Sequence, residues 1–210
     1  MPAGSAWDGR FFEKDPRFWP IAAAARRFAD RADFPDPEEL EAPGIRFVRS
    51  SKPRRTRRTR EPAPGYDARV VGGEVPTRAR SWHDFLNALV WATFPHAKRA
   101  LHARQAAAIQ ARTPAGPLPN ARTREQDALA LLDEGGVLVL ESPNGVMTLG
   151  FGHALYEGLV VGGPPATASA LGFSVPHCPA PSDALPLADS LLAARLREEL
   201  LPSALARRTF

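Results

Sequence analysis

The chain has 210 residues, 44% apolar and 24% charged, enough for one domain with an ordinary core. No mostly apolar stretch reaches the ~20 residues that a spanning helix needs, and the first ten residues lack the apolar centre of a secretory signal, so no membrane role is expected. A single cysteine, Cys178, excludes an intrachain disulfide and a cysteine-rich zinc site, and points to a reducing cytoplasm.

The net charge is +4 and the pI about 9.8. All but three of the 27 basic residues are Arg, a bias that reads as codon usage more than as a tuned surface. The excess is local, since residues 46 to 60 hold eight Arg or Lys and no acid.

In chain order, residues 1 to 16 read as a flexible tail. Helix formers run from Phe18 to Ala32, and the Pro pair of DFPDPEE ends them. A short strand at 45 to 50 leads into the basic stretch, where Pro53 and the absence of apolar residues predict an extended, solvated loop at 51 to 60. The most informative helix is 82 to 93. Ser81 is a good N-cap, and Asp84 completes an S-x-x-D capping box. Helical spacing gathers Trp82, Phe85, Leu86, Leu89 and Val90 on one face and His83, Asp84, Asn87 and Trp91 on the other. An aromatic on the polar side suggests that this face too is covered or lines a cleft.

Phe94-Pro95 breaks that helix and starts another, 95 to 112. Two readings compete for residues 123 to 141. Thr123 with Gln126 forms a capping box for a helix, whereas 127 to 132 and 137 to 141 suit a hairpin turning at Asp133-Glu134-Gly135-Gly136. The hairpin is slightly favoured. A turn at 142 to 145 and a short strand at 146 to 149 follow. In the next helix, from 151 to 160, His153 and Glu157 share the face opposite Phe151, Ala154, Leu155 and Leu159. A strand near ALGFSV, a leucine-striped helix from about 186 to 200 and a short tail from 206 complete the chain. The expectation is a single α+β domain over 17 to 205, a small and mostly antiparallel sheet packed by these helices.

The blocks GYDARVVGGEVPTRARSWHDFLNALVWATFPHAKRALHARQ, QDALALLDEGG and FGHALYE, in this order, resemble the bacterial domain-of-unknown-function 3025 family over roughly 40 to 205. The family has no settled activity. The resemblance implies which residues belong together, not what they do.

If the polar faces of the 82 to 93 and 151 to 160 helices meet, His83, Asn87, His153 and Glu157 form one site. His titrates near neutrality and a carboxylate partner fixes its tautomer, so the set suits general acid/base catalysis. Two imidazoles and a carboxylate, His83, His153 and Glu157, also suffice to hold a divalent metal, although the H-E-x-x-H zinc pattern is absent. Arg78 is expected to clamp an anionic group, with Asp84, Trp91 and Asp127 as further substrate-binding residues. The bland readings are a helix cap for Asp84, turn positions for Asp133 and Glu134, and an ion pair of Asp127 with Arg78 or Arg124. No G-x-S-x-G or phosphate-loop pattern occurs, and Cys178 beside His177 is a poor nucleophile.

The functional expectation is a polar cleft for a small ligand, acting as a hydrolase. One alternative is nucleic-acid or acidic-partner binding through Lys52, Arg54, Arg55, Arg57, Arg58 and Arg60. Another is a structural or interaction domain.

Overall fold

The computed structural model describes residues 6–50, 65–112, 122–162 and 167–209. Its strands are β1 (Glu41–Ala42), β2 (Ile45–Arg49), β3 (Glu74–Thr77), β4 (Gly136–Ser142), β5 (Gly145–Gly150), β6 (Thr167–Ser174) and β7 (Ala206–Thr209). The helices are α1 (Ala22–Ala25), α2 (Tyr66–Val71), α3 (Trp82–Thr93), α4 (Pro95–Gln110), α5 (Arg124–Gly135), α6 (His153–Val161) and α7 (Pro181–Arg195). The fold is α+β. In place of one sheet there are two, ordered β1-β2-β3 and β5-β4-β6-β7. Each contains a parallel pair, β2 with β3 and β4 with β6, and the remaining pairings are antiparallel.

Helix α3 lies at the centre of the core because both of its faces are covered. Trp82, Phe85, Leu86, Leu89 and Val90 are buried as their spacing predicts, and so is Trp91 on the other side. The segment expected to be a tail supplies part of that burial. Trp7 stacks on Trp82 and Phe11 meets it edge-on, both with ring centres 5.1 Å apart, and Phe11 and Phe12 are buried. Each large apolar side chain so placed contributes about 1.5–3 kcal/mol toward offsetting the freedom lost on ordering the segment. The run expected as a helix over 18 to 32 is broken into short 3-10 turns around α1. At the other end, the expected tail at 206 forms β7 against β6.

Residues 127 to 134 belong to α5 and not to a hairpin. Thr123 accepts a hydrogen bond from the Gln126 amide at 3.1 Å, while the Gln126 side chain accepts one from the Thr123 amide at 2.8 Å, a complete capping box. Ala128, Leu129 and Leu132 are all fully buried, which one helical face allows and the alternating faces of a strand do not.

The junction after α5 sets the site. The Gly136 carbonyl accepts from the amides of both Phe151 and Gly152, at 2.9 and 2.8 Å, so the start of α6 is fastened to the end of α5. The buried Tyr156 hydroxyl donates to the Gly150 carbonyl at 2.7 Å and holds the first turn of α6 against β5. No helix of the described residues is long and apolar enough to cross a membrane.

Candidate functional site

His83 is the second residue of α3, His153 the first of α6, and Glu134 the last but one of α5. The packing of α3 and α5 against α6 brings the three to one end of a cleft. The Nε2 atoms of His83 and His153 are 3.0 Å apart, with the rings nearly perpendicular and their centres separated by 4.4 Å. His153 Nε2 is also 3.5 Å from a Glu134 carboxylate oxygen. One ligand atom from each of the three residues falls within 4.8 Å of the others.

Glu157, one turn beyond His153, reaches across to α3, where its carboxylate lies 3.0 Å from His83 Nδ1. A carboxylate at that distance favours a proton on Nδ1, the tautomer whose Nε2 lone pair faces His153. Burial drives the His153 pKa down to about 3, although Asp133 opposes the shift, so this imidazole is neutral at ordinary pH. Its Nδ1 is buried without a hydrogen-bond partner among the described residues. Glu134 is held above the usual carboxylate range, first by burial and then by the charges of Asp133 and Glu157, with His83 and Lys98 opposing.

The expected grouping of His83, His153 and Glu157 is therefore present, with one change of role. Glu157 stands behind His83 instead of beside both imidazoles, and Glu134 takes the third place in the cluster. Reading Glu134 as a turn residue concealed this. The signal that could have found it was the Thr123–Gln126 capping box, which makes 124 to 135 a helix and turns Asp133 and Glu134 toward one side.

Asn87 lines the same cleft but does not touch the imidazoles. Its Oδ1 accepts from Lys98 at 2.8 Å, and its amide points to the Tyr66 hydroxyl at 3.5 Å. Arg78 and Asp84 also line the cleft, but they are spent on each other. The Arg78 guanidinium grips the Asp84 carboxylate at 2.6 and 3.0 Å, and the Arg78 amide donates to it at 2.6 Å. Burial alone would raise the Asp84 pKa, yet these bonds bring it below the usual range. Asp84 thus supports Arg78 more than it completes the helix cap, and Arg78 is not the free clamp expected. Trp91 is not a cleft wall. It is fully buried behind it, stacked on His102 with ring centres 5.5 Å apart. Asp127 does not line this cleft; it lines an adjoining groove with Leu131, Ala154 and Leu155, which shares Glu134 with the cleft.

Three residues of the cleft surroundings escaped the sequence reading. Lys98, buried to 1% exposure, donates to Asn87 and pairs with Asp133. His102 Nδ1 lies 2.8 Å from an Asp67 oxygen. Tyr66 has its hydroxyl pKa raised, mainly by burial and then by Asp133. The basic set Lys52, Arg54, Arg55, Arg57, Arg58 and Arg60 lies outside the described residues.

Residues 45–149 match the family described as "Protein of unknown function (DUF3025)", which is half of the chain. The chain belongs to that family. Within the DUF3025 match fall His83, Asn87, Lys98, Asp133 and Glu134, while His153 and Glu157 lie just past its end. Neither a curated protein nor a solved structure gave a match.

Proposed function

We propose that the cleft is the active site of a hydrolase for a small polar substrate, with water activated where the two imidazoles face each other. The observation that carries this reading is the 3.0 Å contact between nitrogens of residues seventy positions apart. Two imidazoles that line an open polar cleft, one of them held by a carboxylate, suit proton transfer to and from water. As the water oxygen bonds the electrophilic centre, the site takes up one proton; as the bond to the leaving group breaks, it returns one. Water is activated either by proton transfer to His83, whose tautomer Glu157 fixes, or by a metal that the same nitrogens ligate. Asn87 and Tyr66 line the same cleft and are placed to hold polar groups of the substrate. A single cysteine suits a reducing cytoplasm.

The test is turnover by the purified chain across panels of small esters, amides and phosphate esters. Hydrolysis of one class is expected, falling at least about 100-fold in His83→Ala with little change in melting temperature. Full activity in His83→Ala, or no hydrolysis of any class by the unaltered protein, would overturn the reading.

A further inference from the structure

We infer that His83, His153 and Glu134 form a divalent-metal centre open to the cleft, with Glu157 as the outer carboxylate that orients His83. This rests on the hydrolase reading for its purpose, but its geometry stands independently.

A proton alone serves poorly between the two rings. A straight N–H···N bond is the favoured geometry, and it puts both nitrogens and both ring centres on one line. A five-membered ring with bonds of about 1.35 Å has a radius of about 1.15 Å, so aligned rings 3.0 Å apart at nitrogen would have centres about 5.3 Å apart. The centres are 4.4 Å apart. Either both lone pairs are turned well off the line between the nitrogens, or one ring points along it while the other lies almost side-on. Whichever holds, a direct hydrogen bond is misaligned on at least one side. A lone pair turned off the line between the nitrogens is what a common third atom requires.

The spacing of the three ligand atoms also suits an ion. Ligand atoms each about 2.1 Å from one zinc-like ion at tetrahedral angles stand about 3.4 Å from each other. The contacts from His153 Nε2, 3.0 Å to His83 and 3.5 Å to Glu134, bracket that value. The chemistry of the set agrees. His83 has its remaining nitrogen on a carboxylate, the usual outer partner of a ligating imidazole. His153 is buried with its Nε2 toward the other two ligands, and Glu134 is half exposed toward the cleft, so a cation would gain a carboxylate without a large rearrangement. Three protein ligands leave a fourth position for water, as in catalytic rather than structural zinc sites.

The test uses the full chain, stripped with a chelator and dialysed against Zn²⁺ or Co²⁺ alone. One ion per chain is expected, with a rise in melting temperature that grows with free metal. Glu134→Gln and His83→Gln should each weaken binding by more than about 100-fold, and Glu157→Gln by about 10–100-fold, because it acts only through His83. His102→Asn, whose ring contacts Asp67 and Trp91 instead of the three ligands, is the control and should bind as the unaltered chain does. These positions avoid the buried His153, and a circular dichroism melt confirms that each variant is folded. Failure of the unaltered chain to bind either ion, or unchanged affinity in Glu134→Gln, would overturn the centre. Hydrolysis that survives the chelator but is lost in His83→Ala would leave the hydrolase reading standing without the metal, whereas an ion bound as described with no hydrolysis would leave the reverse.

Discussion

Lys98 shows how far a residue's surroundings can override its type. On the Ala-rich helix α4 it reads as a solvated charge, yet it is buried against Asp133, Asn87 and the face of Trp91, 5.5 Å from the ring centre. Burial by itself would raise the Asp133 pKa, but the Lys98 ammonium, with the imidazoles of His102 and His153, outweighs it and holds the carboxyl well below the usual range. Such a pair is costly to break and far less costly to replace as a whole. Lys98→Met should therefore destabilise the protein by about 3–5 kcal/mol in urea unfolding, and Lys98→Met with Asp133→Leu should regain most of that loss. A double variant as unstable as the single one would show that the pairing is not what Lys98 contributes. Neither partner was legible as such in the sequence, because they are 35 positions apart and Asp133 looked like part of a turn.

Helices α3 and α6 were legible as elements because each carries a strong 3.6-residue pattern with a clear start. The polar side of α3 is covered as well, and Trp91 is fully buried there. Helix α5 was not legible, since its apolar run of 128 to 132 is short enough to suit either a strand or a helix face and periodicity cannot separate the two. What fixes α5 relative to α6 is a close approach at Gly152. A Cβ there would lie 2.3 Å from the Gly136 nitrogen, 2.5 Å from the Glu134 carbonyl oxygen and 2.5 Å from the Gly135 nitrogen, all backbone atoms that have no rotamer to move into. Gly152→Ala should cost about 1–3 kcal/mol by overpacking. Because it wedges apart the elements that carry Glu134 and His153, it should also weaken Zn²⁺ binding. Unchanged melting and metal affinity in Gly152→Ala would mean that the junction has slack.

Taken whole, the molecule does not divide where the family match does. The core that buries α3 takes Phe11 and Phe18 from before residue 45 and Tyr156, Leu192 and Leu196 from beyond 149, and β4 has β6 as one of its two partners. A fragment of residues 45 to 149 should accordingly show no cooperative thermal or urea transition, whereas the full chain should show one; a sharp transition in the fragment would contradict this dependence. The amino-acid sequence on its own determined the faces of α3 and α6, and with them that His83 and Asn87 point one way and that His153 leads a helix with Glu157 one turn on, because those relations are set by backbone period within about a dozen residues. Tertiary structure alone decided that Glu134 and not Glu157 stands beside both imidazoles, that Asp84 holds Arg78, and that the N-terminal aromatics belong to the core. Those outcomes depend on how distant segments share burial at Gly152, Tyr156 and Trp82, a competition among non-local contacts that no local pattern records.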